Sequence, residues 1–226
     1  MSIQEELNDF LTTSVARLGH GLQFDNNITH VHNRANPHAL RPPFKFHLCT
    51  NKLRNEGRLS EDEVNRVAYY IAHSIVKNRP YPQALAGVPK VGEDLARRVA
   101  MCLEQQGMRV PRLRFSKLPD GGIKLVDRAD YPHGGEVVLI DDLVHHSLSK
   151  QRTNETLREA GYTCTKLWVF LDYGQGAQEI LAAHGITLEA VATVRQALAL
   201  GKEHGTLPLL HYRQAMAYLQ QTRAAA

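Results

Sequence analysis

Apolar residues in the first segment recur at Leu7, Phe10, Leu11 and Val15, a helical spacing that predicts an amphipathic helix. From Gly19 to Pro43 the chain is rich in Asn, His, Gly and Pro and keeps no sustained period, which predicts an irregular connection. SEDEVNRVAYYIAHSIVKN, residues 60–78, opens on Ser60 with Glu63 three positions later and places Val64, Val67, Ile71 and Ile75 on one face. That is a capped helix. Beyond it, short apolar runs alternate with helical segments. QALAGV is followed by GEDLARRVAMCLEQQG, RVPRLRF by a polar loop, and EVVLIDD by SKQRTNETLREAG. CTKLWVFLD then leads to GAQEILAAHG, and ITLEAVA to TVRQALALGKEHG. Strands alternating with helices predict an α/β fold, a mostly parallel central sheet of about five strands with crossover helices on its faces. LPLLHYRQAMAYLQQ predicts a final helix, and TRAAA a frayed end.

Length and composition narrow the picture without changing it. A chain of 226 residues suits one sizeable α/β domain. The expected layout is residues 1–60 as an N-terminal helix and small hood, 61–200 as the α/β core and 201–226 as a C-terminal helix. Hydrophobic residues at 43% and charged residues at 22% are ordinary for a globular protein. The formal charge of +4 is dispersed and aromatics are few, so no nucleic-acid surface is expected; a small anionic ligand fits the bias equally well. Cys49, Cys102 and Cys164 are far apart and in no metal-type spacing, as in a reduced protein. The acidic opening MSIQEELNDF lacks signal-peptide character and no apolar run reaches membrane-spanning length. A cytoplasmic protein with no membrane partner is the expectation. His30 and His32 form an H-x-H pair, but spacing supplies no third metal ligand.

In open α/β sheets, ligands bind at the carboxyl ends of the strands, where helix N-termini collect unsatisfied amides. Two such ends here carry chemistry. In AGVPKVGED, Gly87 and Gly92 bracket Pro89 and Lys90 just before a helix. Glycines admit close backbone approach and Lys90 adds a cation, a combination suited to phosphate or pyrophosphate; a plain strand-to-helix turn reads the same. In GGEVVLIDDLVHHSLSK, an apolar strand ends in Asp141 and Asp142, and a loop with His145, His146, Ser147 and Ser149 enters the next helix. Adjacent carboxylates can accept from two ribose hydroxyls or help hold a divalent cation. The bland alternative makes them turn residues, with Ser147 or Ser149 a simple N-cap.

Four apolar residues, two acidic residues and a small-residue loop resemble the phosphoribosyl pyrophosphate motif of the type I phosphoribosyltransferases, and the order of the other pieces resembles the orotate members. GVPKVG stands where that family has its pyrophosphate loop, and RLRFSKLPDGG where it has its mobile catalytic loop. The similarity covers most of residues 44 to 200. It implies phosphoribosyl transfer from phosphoribosyl pyrophosphate (PRPP) to a nitrogenous base, orotate first, with Mg2+ and in a homodimer. Asp141 and Asp142 would hold the ribose hydroxyls. Gly87, Lys90 and Gly92 would hold pyrophosphate, while His145, His146, Ser147 and Ser149 would receive the 5-phosphate. Lys117 and Arg114 would act on the leaving group. The sequence departs from the family in three places. PFKFHLCTNKL, residues 43–53, stands where the family has its orotate-contacting F-x-L-x-S-G stretch but lacks the Ser-Gly. Thr-Thr-Gly becomes His145, His146 and Ser147, and the catalytic loop keeps Arg114, Lys117 and Gly121 but has Phe115 for a basic residue and Asp120 for histidine. These departures open an alternative, a non-catalytic relative that binds a nucleotide or phosphoribosyl ligand in a regulatory role.

Overall fold

The computed structural model describes residues 1–24, 43–46, 48, 59–89, 91–118, 122–127, 131, 134–145 and 147–224. The chain forms two compact units, one of Met1–Val64, Tyr173–Gln175 and Ala192–Ala226, the other of Asn65–Asp172 and Gly176–Val191. No helix among the described residues is long and apolar enough to cross a membrane.

The first unit begins with α1 (Ile3–Phe10), whose N-terminus is closed by a capping box between Ser2 and Glu5. The predicted helical stripe continues past Phe10, but as a π-helical turn over Leu11–Val15. Phe10, Leu11 and Val15 are completely buried. Within the stretch expected to be irregular, Leu22–Phe24 forms β1, which pairs antiparallel with β2 (Phe44–Phe46). This pairing joins residues far apart in sequence, so no local period announces it. Tyr173 lies against the hairpin: its ring stacks on Phe44 with centroids 5.8 Å apart, and its hydroxyl accepts from the Phe46 amide at 3.4 Å. Tyr173 is thus buried in an aromatic cluster. Helices α6 (Val194–Glu203) and α7 (Leu209–Ala224) complete this unit. Gly201 of α6 packs so closely that a Cβ there would lie 3.0 Å from that of Ala16.

The long helix α2 (Glu61–Lys77) starts as its sequence predicts. The Ser60 amide donates to the Glu63 carboxylate at 2.7 Å, and the Glu63 amide to the Ser60 hydroxyl at 3.3 Å. Burial pushes the Glu63 carboxyl up, but hydrogen bonds from Ser14, Ser60 and His20 outweigh it and hold the group at about 2.

The second unit is built on a six-stranded sheet in the order β5-β4-β3-β6-β7-β8. Its strands are β3 (Ala84–Gly87), β4 (Arg112–Lys117), β5 (Ile123–Asp127), β6 (Glu136–Val144), β7 (Thr163–Asp172) and β8 (Thr187–Thr193). β3 runs parallel to both β4 and β6, and β6 parallel to β7. The expected five strands are all present. The sixth, β5, is an antiparallel edge strand in what reads as a polar loop, because its IKLVD leaves Lys124, Val126 and Asp127 exposed. The interior strands have near-continuous apolar runs because helices cover the sheet. Leu139, Ile140, Leu167, Val169, Phe170 and Leu171 have no exposed surface. Helices α3 (Val91–Gln105), α4 (Leu148–Glu159) and α5 (Ala177–Ala183) follow β3, β6 and β7 in the chain. Leu157 of α4 and Leu181 of α5 enter one core cluster with Leu113, Phe115 and Leu139. Trp168 and Cys164 are buried strand residues, and burial pushes the Cys164 thiol up to about 12. His30, His32 and Cys49 lie outside the described residues.

Candidate functional site

The site grows from a difference in strand length. β3 pairs with β6 from Ala84 opposite Val137 to Gly87 opposite Ile140, so residues 141–144 of β6 extend past that pairing while β7 accompanies them to Val144. The two aspartates therefore stand at the step in the sheet edge where β3 ends and α3 begins. Gly87 and Gly92 make this closeness possible. A Cβ on Gly87 would lie 2.2 Å from the Gly92 carbonyl oxygen, and one on Gly92 would lie 2.4 Å from the Ile140 carbonyl oxygen and 3.2 Å from Asp141 Oδ1. The space that glycine frees is thus filled by the chain's own backbone, which seats the start of α3 beside Asp141. Lys90, between them, lies outside the described residues.

Asp141 is buried, and both its oxygens have partners. Oδ1 accepts the Asp142 amide at 2.9 Å, and Oδ2 is 2.7 Å from Lys150 Nζ. Neither side chain of this ion pair is more than 9% exposed. Asp142 is half-buried, and its Oδ1 accepts the Leu143 amide at 2.8 Å. Burial and the adjacent Asp141 carboxylate push the Asp142 carboxyl up to about 7, against the pull of the Lys150 ammonium and the Leu143 amide. Of the two acids, Asp141 is locked into the scaffold and Asp142 faces the greater solvent access.

The turn into α4 keeps a glycine-like backbone without glycine. Ser147 has φ 53° and ψ −5°, and it is the only non-glycine with positive φ among the described residues. Such a conformation crowds Cβ against the following carbonyl and costs about 1–2 kcal/mol. Ser147 occupies the N-cap position but makes no side-chain cap; its hydroxyl accepts from Gln151 Nε2 at 2.8 Å, while its carbonyl accepts the amides of Lys150 and Gln151. Ser149 is half-buried in the first turn and His145 is buried just before it. His146 lies outside the described residues.

The remaining candidates are on the β4–β5 hairpin. Arg114 is exposed, with Nη1 3.7 Å from Asp127 Oδ2, a surface pair of little energetic weight. Lys117 closes β4. Between them Phe115 is buried in the core with Leu113, because strand alternation turns residues 113 and 115 inward and 114 outward. Glu93, in the first turn of α3, accepts the Phe115 amide and so ties the helix start to the hairpin. Burial pushes its carboxyl up, with the Phe115 amide, Arg112 and Arg114 pulling the other way. Glu93 and Lys150 are the residues of this edge that pattern reading passes over, since each looks like an ordinary solvated charge on a helix. Asp141, Asp142, Ser147, Ser149, Gly87 and Gly92 are brought to one edge of the sheet; Arg114 and Lys117 lie on the hairpin at its side.

No family model matches the chain. Over 67 residues it is 40% identical to the orotate phosphoribosyltransferase of Aeropyrum pernix, a match covering 30% of this chain and 36% of that protein. The chain thus spans about a third of that relative's length in the matched region. Among solved structures, Leishmania donovani UMP synthase superposes with a TM-score of 0.68 at 20% identity, covering 97% of this chain and 43% of that one. The orotate phosphoribosyltransferase of Francisella tularensis superposes with a TM-score of 0.62 at 18% identity, covering 89% and 90%. The sequence places Asp141 and Asp142 at the strand's end, but β6 runs on to Val144 because β7 still pairs with it there. The aspartate pair just past the β3 pairing, the glycine-seated start of α3 beside it and these two superpositions agree: the chain has the type I phosphoribosyltransferase fold, and its sequence is similar to that of orotate phosphoribosyltransferases.

Proposed function

We propose that this protein transfers the phosphoribosyl group of PRPP to a nitrogenous base, orotate being the first choice, with release of pyrophosphate. The observation that carries the reading is the placement of Asp141 and Asp142 in β6 just past its pairing with β3, between the starts of α3 and α4. Asp142 would accept from the ribose hydroxyls, with Asp141 behind it. The α3 start with Gly87, Lys90 and Gly92 would face pyrophosphate, and the turn through His145, His146, Ser147 and Ser149 would receive the 5-phosphate. Catalysis would rest on positioned charge, which stabilises an oxocarbenium-like ribose and the departing pyrophosphate, with Arg114 and Lys117 acting on the latter. No group of three or more His, Cys, Asp or Glu that could hold a metal occurs among the described residues. Mg2+ would enter with the donor, on its pyrophosphate, and there it would screen the leaving group's charge. A homodimer, in which a neighbouring subunit supplies Lys117 and Arg114, and a cytoplasmic location belong to the same proposal.

A second reading, ligand binding without turnover, is favoured by Phe115, whose inward position replaces a cation with core. Calorimetric titration of PRPP with Mg2+, followed by an orotate turnover assay, separates the two. Binding that is lost in the Asp141→Asn, Asp142→Asn double variant and leads to orotidine 5'-monophosphate supports transfer. Binding without product supports the second reading, and no binding to the wild-type protein removes both.

A further inference from the structure

Lys150 has no part in the reading above, yet its side chain is buried at the site. Its ammonium is 2.7 Å from Asp141 Oδ2, the other Asp141 oxygen is taken by the Asp142 amide, and the Gly92 backbone walls the carboxylate on the α3 side. The position is built. Ser147 turns the chain through positive φ, its carbonyl accepts the Lys150 amide at 2.9 Å, and the first turn of α4 then aims the side chain back at the end of β6. A compact ammonium on a flexible stem suits this contact with one carboxylate oxygen. Formally, two carboxylates and one ammonium leave the acidic pair with one negative charge. A cation fixed at one carboxylate opposes a second cation there, because the largest local charge governs such a site.

We propose that Lys150 is a resident counter-ion: it occupies at Asp141 the place a divalent cation would take, so the acidic pair binds the ribose diol without metal, and metal enters the site only on the pyrophosphate. Asp141 is then a positioning residue that holds the Asp142 backbone, and Asp142 is the group left to meet the ligand. The ribose part of this proposal rests on the phosphoribosyl reading; the counter-ion part does not.

The test uses Mn2+ alone and ribose 5-phosphate, which lacks pyrophosphate, each titrated into the wild-type protein and into Lys150→Met. Removing a unit charge about 4 Å from the metal position should tighten Mn2+ binding by about tenfold or more. The gain should disappear in Lys150→Met combined with Asp141→Asn, a variant that also keeps the buried charges balanced. Ribose 5-phosphate should bind the wild-type protein equally with and without Mg2+, and acquire a dependence on Mg2+ in Lys150→Met. A folded Lys150→Met protein with unchanged Mn2+ affinity overturns the proposal, as does ribose 5-phosphate binding to the wild type that requires Mg2+. If Lys150→Met does not fold, the wild-type arm still decides. A gain in Mn2+ affinity with no ribose 5-phosphate binding to either protein sustains the counter-ion and removes the phosphoribosyl reading.

Discussion

Ser147 shows how much one backbone angle decides at this site. Where the family has the glycine of Thr-Thr-Gly this sequence has Ser147, and the chain holds that serine at φ 53°, in the conformation glycine would adopt. The strain is offset locally by the Gln151 side chain and by two amides on the Ser147 carbonyl. Ser147→Gly should therefore leave the turn in place and stabilise the protein by up to about 1 kcal/mol, the αL penalty less the entropy glycine adds to the unfolded chain. Urea denaturation reads this directly, and a loss of stability would show that the serine hydroxyl matters more than the backbone angle. Gly87 and Gly92 teach the converse. Their residue types mark a ligand loop, but their contacts are with the chain's own backbone, and only the folded structure shows that the void is already filled.

The elements were largely legible in the sequence, and the misses have physical causes. The five expected strands and the helices between them follow from alternating apolar runs and helical periods. β5 escapes because an edge strand with one half-covered face carries no clear period, and β1 because its partner lies beyond a long connection. Lys150 escapes because a lysine in the first turn of a polar helix reads as solvated; only the crossover from β6 into α4 places it behind Asp141. The β4–β5 hairpin shows how an element constrains chemistry. Strand parity, with a register shift between Arg114 and Phe115, sets which side chains leave the core. Phe115→Lys, which restores a basic residue of the catalytic-loop pattern, should therefore bury an unpaired charge and destabilise the protein by at least about 3 kcal/mol. Chemical denaturation measures the loss, and an unchanged midpoint would mean that the hairpin re-registers to expose residue 115.

For the whole molecule, the two shifted carboxyls make opposite contributions to stability against pH. Glu63 titrates at about 2 when folded, below its ordinary 4.5, so its stabilisation is present above 4.5 and is lost as pH falls toward 2. Asp142 titrates at about 7 when folded, above its ordinary 3.8, so its contribution is full below 3.8 and is lost as pH rises through 7. Denaturation midpoints from about pH 2 to 8 should accordingly fall at both ends. Glu63→Gln should flatten the acid limb and Asp142→Asn the neutral limb, and a limb left unchanged by its variant would assign that loss to another group. The neutral limb has a functional meaning under the proposed activity, since the carboxyl nearest the ligand changes charge where a cell works.

The two units also differ in how they can be watched. The chain has one tryptophan, Trp168, buried in β7 of the sheet unit. Its ultraviolet emission is therefore a private optical label for that sheet: the band lies toward the blue while β6 and β7 are packed and shifts to the red when water reaches the indole. The aromatic cluster around Phe44 and Tyr173 contributes no tryptophan light of its own, so a fluorescence melt follows the ligand-bearing sheet with no overlying signal from its neighbour.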